Sequence, residues 1–296
     1  MAILPMYQDV WHRVVSFTTL CAGATQKLAI HNLVPEEIQE QYRIIGKRVL
    51  LADFAGRDSI AACMQILKDE EIDTVIPVGD IVPSRYGDTD SYYRNWESLA
   101  QLIEKNHLNV ELKPWFIIDG QKFWNTLNER YVENIMKKYG WFTPCIGCHF
   151  HFYAMRSVLV EILGFENTIL ASGEKRLHKN GKRKANQTDG AVKAYSKFSR
   201  DQGVDHRFPI HDFESENKIA SLVGEMWGEG GSQMSCIHSG NDRENGTLKY
   251  SDEQISEMMT DYILPMGKRY VEMKINELNK NRFWNAMDDY SEELLE

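Results

Sequence analysis

Apolar and polar positions fall into two rhythms along the chain. From Lys47 onward, short runs that are apolar almost throughout alternate with longer stretches whose apolar residues recur at helical spacing. Runs of the first kind predict strands buried on both faces of a parallel sheet, and the second kind predicts amphipathic helices. Arg48-Val-Leu-Leu-Ala-Asp-Phe54 is the first strand, and Ile60 to Lys68 the helix after it. Asp73 to Val78 is the next strand, Tyr92 to Asn106 a helix, Val110 to Ile118 a strand carrying Pro114, and Phe123 to Tyr139 a helix stopped by Gly140. Further on, Tyr153 to Leu163 predicts a helix ending at Gly164, Asn167 to Ser172 a strand, Arg207 to His211 a short strand and Glu216 to Gly224 a helix. Alternation sustained over about 170 residues implies right-handed crossovers, so the expected fold is α/β, a doubly wound parallel sheet.

The flanks read differently. Residues 1–46 predict a helical N-terminal extension, with Pro35-Glu-Glu-Ile as a good helix start. Residues 246–296 predict a charged helical C-terminal extension, with helices at Asp252 to Tyr262 and Lys268 to Asn285 and an acidic tail at Asp288 to Glu296. The α/β core is then 47–245, and no internal repeat or low-complexity linker interrupts it.

Composition narrows the class. With 296 residues, 43% apolar and 26% charged, the chain suits one large soluble globular domain with helical additions. A net charge of −9 disfavours a bulk electrostatic surface for nucleic acid and leaves a local basic patch as the route to one. No apolar run reaches the roughly 20 residues of a membrane helix. The first residues, Met1 to Asp9, carry an early acid and no basic stretch, so neither a membrane segment nor a signal peptide is expected. Five cysteines (Cys21, Cys63, Cys145, Cys148 and Cys236) are an odd number in a long chain, which predicts a reducing, cytoplasmic setting with free or metal-bound thiols.

Two motifs carry chemistry. The first is Phe54-Ala-Gly-Arg-Asp-Ser59, between the first core strand and its helix, where open parallel sheets bind ligands. Ala55 and Gly56 let an anion approach the backbone, and the amides and dipole of the following helix favour phosphate. Ser59 can donate a hydroxyl, Arg57 can add charge, and Asp58 can cap the helix or bind a cation such as Mg²⁺. The turn resembles the Ser-Gly-Gly-x-Asp-Ser signature of the PP-loop ATP pyrophosphatases, with Gly56, Asp58 and Ser59 matching, Ala55 replacing a glycine and Phe54 the serine. That resemblance implies a loop gripping the pyrophosphate of ATP while the α-phosphate is attacked and a substrate oxygen becomes adenylated.

The second motif is Pro144-Cys-Ile-Gly-Cys148 with Cys236 far downstream. A two-residue gap lets Cys145 and Cys148 bind one metal centre, and it also fits a zinc half-site, a redox pair or plain packing. Zinc would be completed by His149, His151 or His238. The trio is similar to that of the PP-loop branch of tRNA 2-thiocytidine and 2-thiouridine thiolases. The resemblance, which runs over roughly residues 47–240, implies a [4Fe-4S] cluster held by Cys145, Cys148 and Cys236 with its fourth iron open. Thiolates suit such clusters. Cys21 and Cys63 have no such spacing and are expected to pack.

Ala171-Ser-Gly-Glu-Lys-Arg-Leu-His178 also leaves a strand at the binding edge. Related enzymes have Thr-Gly-His and acids here, so Gly173 is expected beside the nucleotide. Glu174 would orient a substrate or metal ion, while Lys175 and Arg176 would neutralise phosphate charge. Five of the nine residues from Lys175 to Arg183 are basic, a clamp for an anionic substrate or a solvated loop. The resulting expectation is an ATP-dependent sulfurtransferase, forming AMP and pyrophosphate, that acts on a small nucleotide or metabolite, with tRNA the second candidate. It would need a sulfur donor and no membrane, and a homodimer is allowed. A cluster-dependent desulfidase without adenylation and a zinc-stabilised nucleotide-binding protein without turnover are the alternatives.

Overall fold

The computed structural model describes residues 15–16, 46–88, 91–113, 115–119, 121–176, 183–224, 233–245, 247–272 and 280–295. The expected helix start at Pro35, Cys21, Pro114 and the basic stretch 177–182 lie outside these residues.

A parallel sheet organises the chain. Its strands are β1 (Val15–Ser16), β2 (Val49–Asp53), β3 (Thr74–Ile81), β5 (Glu111–Leu112), β6 (Phe116–Asp119), β7 (Thr168–Ala171) and β8 (Asp205–Arg207), after counting the short β4 (Arg85–Tyr86) in chain order. Along the sheet the order is β1-β6-β3-β2-β7-β8, with β5 also pairing to β3. The centre is β2, in register with β3 from Val49↔Thr74 to Asp53↔Val78 and with β7 from Val49↔Thr168 to Ala52↔Ala171. Every residue of β2 is buried, as a near-continuous apolar run predicts.

The pleat divides the core into two layers. Val49, Leu51, Ile76, Val78 and Leu170 face one side, where they meet Phe150, Tyr153 and Tyr195. Leu50, Ala52, Val75 and Ile169 face the other, where they meet Ile60, Met64, Leu99 and Ile219. The helices around the sheet are α1 (Arg57–Asp69), α2 (Ser91–Lys105), α3 (Gln121–Asn125), α4 (Val132–Tyr139), α5 (Pro144–Leu163), α6 (Asp189–Asp201) and α7 (Glu216–Val223). A π-helical turn, Thr126–Arg130, joins α3 to α4. Gly140 and Gly164 stop α4 and α5 with φ of 73° and 65°, the left-handed cap open to glycine.

Four local expectations differ from what forms. The strand expected over Val110 to Ile118 is two, β5 and β6, which pair with different stretches of β3. The short strand expected at Arg207 to His211 sits earlier, where β8 pairs with β7 from Ile169↔Asp205 to Ala171↔Arg207. The helix expected from Tyr153 begins earlier and takes in the cysteine pair. The pair occupies the first turns of α5, which begins at Pro144 behind an N-cap at Thr143. Finally, α6 was not anticipated, although Thr188 caps it by accepting from the Ala191 amide.

Beyond the sheet, α8 (Asp252–Met258), a π-helical turn (Met259–Ile263) and α9 (Leu264–Glu272) form one continuous run, and α10 (Lys280–Leu295) follows. Ile255, Met258, Tyr262, Met266 and Met287 join the same core as the α5 side of the sheet. The stretch expected as an acidic tail is therefore the docked end of a helix. Asp288 accepts from Arg130 Nε and Nη2, both at 2.7 Å, and buried Ser291 shares a 3.1 Å hydrogen bond with the Tyr262 hydroxyl.

Candidate functional site

The chain leaves β2 toward β3 on one side, and β7 lies on its other side, so the sheet's topological switch point falls between the C-terminal ends of β2 and β7. Both predicted loops emerge there and touch. A Cβ built on Gly173 would lie 2.6 Å from the Ser59 amide nitrogen and 2.8 Å from the Asp58 carbonyl oxygen. Only glycine lets the β7 loop lie on the turn after β2. Gly56 precedes α1 in extended conformation and is left without a side-chain cap hydrogen bond. Ala55 is held by its carbonyl, which accepts from Asn95 Nδ2 at 3.4 Å, and Ser59 is buried.

The charged residues of these loops pair inward. Arg57 donates through Nη2 to Glu216 Oε2 at 2.6 Å and through Nε to Asp58 Oδ1 at 3.1 Å. Lys175, almost wholly buried, donates to the other oxygen of Glu216. Arg176 bonds Asp189 at 3.0 Å and Asp212 at 2.8 Å. The expectation that Lys175 and Arg176 reach out to phosphate thus meets a different arrangement, in which each already has a carboxylate. Glu216, which the sequence marks only as a helix start, is the common partner of Arg57 and Lys175. Burial pushes its carboxyl up, but those two cations outweigh it and hold it below the usual range.

Glu174 is buried as well. It accepts from His149 Nδ1 at 2.5 Å, Asn186 Nδ2 at 2.9 Å and the Tyr153 hydroxyl. Burial alone would raise its carboxyl; the His149 charge and the hydrogen bonds from His149, Tyr153 and Gln187 bring it down to about 2. Glu174 therefore ties the β7 loop to α5 and orients His149.

The three cysteines are carried by two segments that approach each other through Ser84 and Arg85. Cys145 and Cys148 lie three residues apart on the first turns of α5. Cys236 belongs to β9 (Ser235–Cys236), which pairs antiparallel with β4, Arg85 opposite Cys236. The Ile237 amide donates to the Ser84 carbonyl at 2.9 Å, and the Ser84 hydroxyl lies 3.9 Å from Cys148 Sγ. Cys145 Sγ donates to Asn241 Oδ1 at 3.5 Å. Burial pushes the Cys145 thiol up to about 12, with Asp242 and the other two thiols adding to it. The Cys148 thiol is pushed up to about 11 by burial and by Cys236, against the pull of the Trp124 indole, the Arg85 charge and the Ser84 hydroxyl.

Among the described residues, no group of three or more His, Cys, Asp or Glu side chains is drawn tightly enough to hold a metal ion. The donor chemistry nonetheless fits a soft centre. Thiols are soft donors, and the raised pKa values of Cys145 and Cys148 keep those two protonated until a cation replaces the protons. The histidines expected to complete zinc have other neighbours. His149 is engaged by Glu174, His151 is fully buried with its ring 5.4 Å from that of Phe123, and His238 stacks on Trp124 at 6.2 Å. Cys63 is a packing residue on the α1 layer, its thiol pushed up to about 12 by burial alone.

One arginine fixes the thiol helix to the sheet. Buried Arg156 on α5 donates through Nη2 to Asp53 Oδ1 at 2.7 Å, Asp80 Oδ2 at 2.7 Å and the Val78 carbonyl at 2.8 Å. Burial pushes the Asp80 carboxyl up to about 6 despite Arg156 and Arg85. The sequence carried a trace of this network: acids at the ends of two otherwise apolar strands, and a single arginine within an apolar helix.

No family model matches the chain. It is 35% identical over 230 residues to the protein of Methanocaldococcus jannaschii described as uncharacterized protein MJ0009, a match covering 77% of this chain and 82% of that protein. Among solved structures, the U34-tRNA thiolase NcsA from Methanococcus maripaludis with its [4Fe-4S] cluster matches with a TM-score of 0.33 and 11% identity, over 82% of this chain and 80% of that chain. No helix among the described residues is long and apolar enough to cross a membrane.

Proposed function

We propose that this chain, which belongs to the same family as the Methanocaldococcus jannaschii protein MJ0009, is an ATP-dependent sulfurtransferase of PP-loop type. The observation that carries the reading is the meeting of the two motifs. The Gly56 turn touches Gly173, and the segment from Gln233 to Cys236 runs from that turn to the cysteine pair. A nucleotide turn and a set of sulfur donors share one edge of the sheet.

In this reading, Gly56, Ala55 and the first amides of α1 receive the pyrophosphate end of ATP, with the Ser59 hydroxyl as a further donor and Asp58 holding Mg²⁺. Gly173 lets the β7 loop lie against the turn, beside the nucleotide. A carbonyl oxygen of the substrate attacks the α-phosphorus, an O–P bond forms, and pyrophosphate leaves with the electrons of the broken bond. A sulfur nucleophile then adds to the activated carbon; the C–S bond forms, the C–O bond breaks, and AMP leaves. Cys145, Cys148 and Cys236 would hold a [4Fe-4S] cluster, which when bound supplies an open iron for the sulfur species. Holding both reactants at one edge removes much of the entropic barrier to their encounter. Arg57 and Lys175 act through Glu216 to fix the two loops, and Glu174 acts through His149, so these are positioning residues.

The net charge of −9 favours a small nucleotide or metabolite over a large polyanion, and tRNA stands second. The test is pyrophosphate release from ATP, with inorganic sulfide and a panel of free nucleosides, small carbonyl metabolites and tRNA, using anaerobically prepared protein analysed for iron and sulfide. Pyrophosphate formed only when substrate is present, with sulfur in the product, supports the reading. Iron-loaded protein that forms neither product would overturn it.

A further inference from the structure

The Gly56 turn is covered. A Cβ built on Gly56 would lie 2.6 Å from Gln233 Oε1 and 3.2 Å from Gln233 Cβ, so the glutamine side chain rests on the glycine where an anion would approach the backbone. Gln233 is exposed, and nothing in the core demands this placement. Three residues further on is Cys236, held opposite Arg85 in the β4–β9 pair. An extended chain rises about 3.3 Å per residue, so roughly 10 Å of chain separates the turn from the third thiol. Between them Met234 packs against the core of the α1 layer. The segment thus runs from the turn, past partly buried Met234, to the neighbourhood of Ser84 and Cys148.

We infer that Gln233 couples anion binding at the Gly56 turn to the position of Cys236. This rests on the reading that the turn holds phosphate. The physical reason is steric. The Gln233 side chain fills the space over Gly56 through which a phosphate oxygen would reach the backbone, and the two cannot share that place. Phosphate therefore displaces the side chain, and the chain beyond Met234 shifts with it. The third thiol is the exposed one of the trio and the one carried by a two-residue strand, so it is the ligand most easily moved. Nucleotide at the turn would in this way set the geometry of the sulfur donors. By linkage, whatever fixes Cys236 changes nucleotide affinity by the same factor.

The experiment compares the full-length protein with its Gln233→Ala variant, with and without ATP and Mg²⁺. Binding is read by titration calorimetry. Hydrogen exchange is read at the Ile237 amide, which the Ser84 carbonyl protects at 2.9 Å. In the unaltered protein, ATP should change Ile237 exchange by about tenfold, the size of an ordinary coupling. In Gln233→Ala the change should fall below about twofold, while ATP binds a few-fold more tightly because no cover has to be displaced. ATP binding with unchanged Ile237 exchange, an equal response in the variant, or weaker binding by the variant would overturn the coupling and leave the phosphate reading standing. No ATP binding by either protein would remove both.

Discussion

Gly173 and Ser59 meet at backbone distance: a Cβ on the first would stand 2.6 Å from the amide nitrogen of the second. The contact joins the loops after β7 and β2, and it involves backbone that cannot swing aside. Gly173→Ala should therefore cost about 1–3 kcal/mol of stability, the range for overpacking a tight site. It should also push the α1 amides off line and weaken ATP binding by about tenfold or more, as a shift in anion-binding donors does. Chemical denaturation and calorimetric titration read the two effects. A variant with unaltered stability and affinity would show that the loops are free to part.

Glu174 gives a pH dependence with a definite sign. Its folded-state pKa of about 2 lies below its ordinary 4.5, so its contribution is fully present above the ordinary value and is lost as pH falls through the folded one. The difference corresponds to about 3 kcal/mol. Glu174→Gln should flatten the stability profile between about pH 4.5 and 2, measured as the urea midpoint at a series of pH values. An unchanged acid limb in the variant would mean that other carboxylates account for it.

The parts read from sequence and the parts missed differ in what signals them. Buried parallel strands leave continuous apolar runs, so β2 with its glycine turn was legible to within two residues. Grouping Cys236 with the paired cysteines came from the family resemblance, because no local pattern around a lone downstream cysteine says what it will face. By contrast, α5 was cut short because it is apolar nearly all round; Ile146, Phe150, Phe152, Tyr153 and Met155 are all buried, which erases the helical stripe. Its start was written in Thr143 and Pro144, a cap and a first-turn proline. Glu216 could not be found this way. It lies 159 positions from Arg57 and 41 from Lys175, and nothing in a charged helix start says which cations it will meet. The same holds for Asp288, 158 positions from Arg130, which turned a supposed tail into a docked helix.

The thiols make a graded prediction. After anaerobic reconstitution with iron and sulfide, Cys145→Ala, Cys148→Ala and Cys236→Ala should each lose most bound iron, since the loss of one thiolate from a three-thiolate set opens the site. Cys63→Ala should retain it, because Cys63 packs on the α1 layer away from the trio. Iron and sulfide analysis with the visible absorption spectrum reads the outcome. Full iron content in all three trio variants would show that these sulfurs are not the ligand set.

Asp58 separates cation binding from loop structure. Its carboxylate accepts from Arg57 Nε at 3.1 Å and is only partly buried, so little of the fold depends on it. Asp58→Asn keeps the shape and removes the charge. It should leave the denaturation midpoint within about 0.5 kcal/mol of the original, as surface substitutions do. Mg²⁺-dependent ATP turnover should fall by about a hundredfold, the scale of one lost electrostatic contact. Unchanged turnover would exclude Asp58 from the metal–phosphate contacts.

Glu216 holds two cations that the sequence had assigned to phosphate, and its removal tests that reassignment. Lys175 is 1% exposed, so without Glu216 its ammonium is left buried and unpaired. Breaking a fully buried pair costs about 3–5 kcal/mol, and partial exposure of Glu216 lowers the expected cost of Glu216→Ala to about 2 kcal/mol. A second change, Lys175→Met, removes the stranded charge and should restore most of the loss, because an apolar side chain of similar length suits the same pocket. If Lys175 instead served phosphate directly, the double variant would regain stability but lose ATP binding. If it only locks the β7 loop to α7, affinity returns together with the fold. Denaturation midpoints and ATP titrations on the two variants decide between these roles.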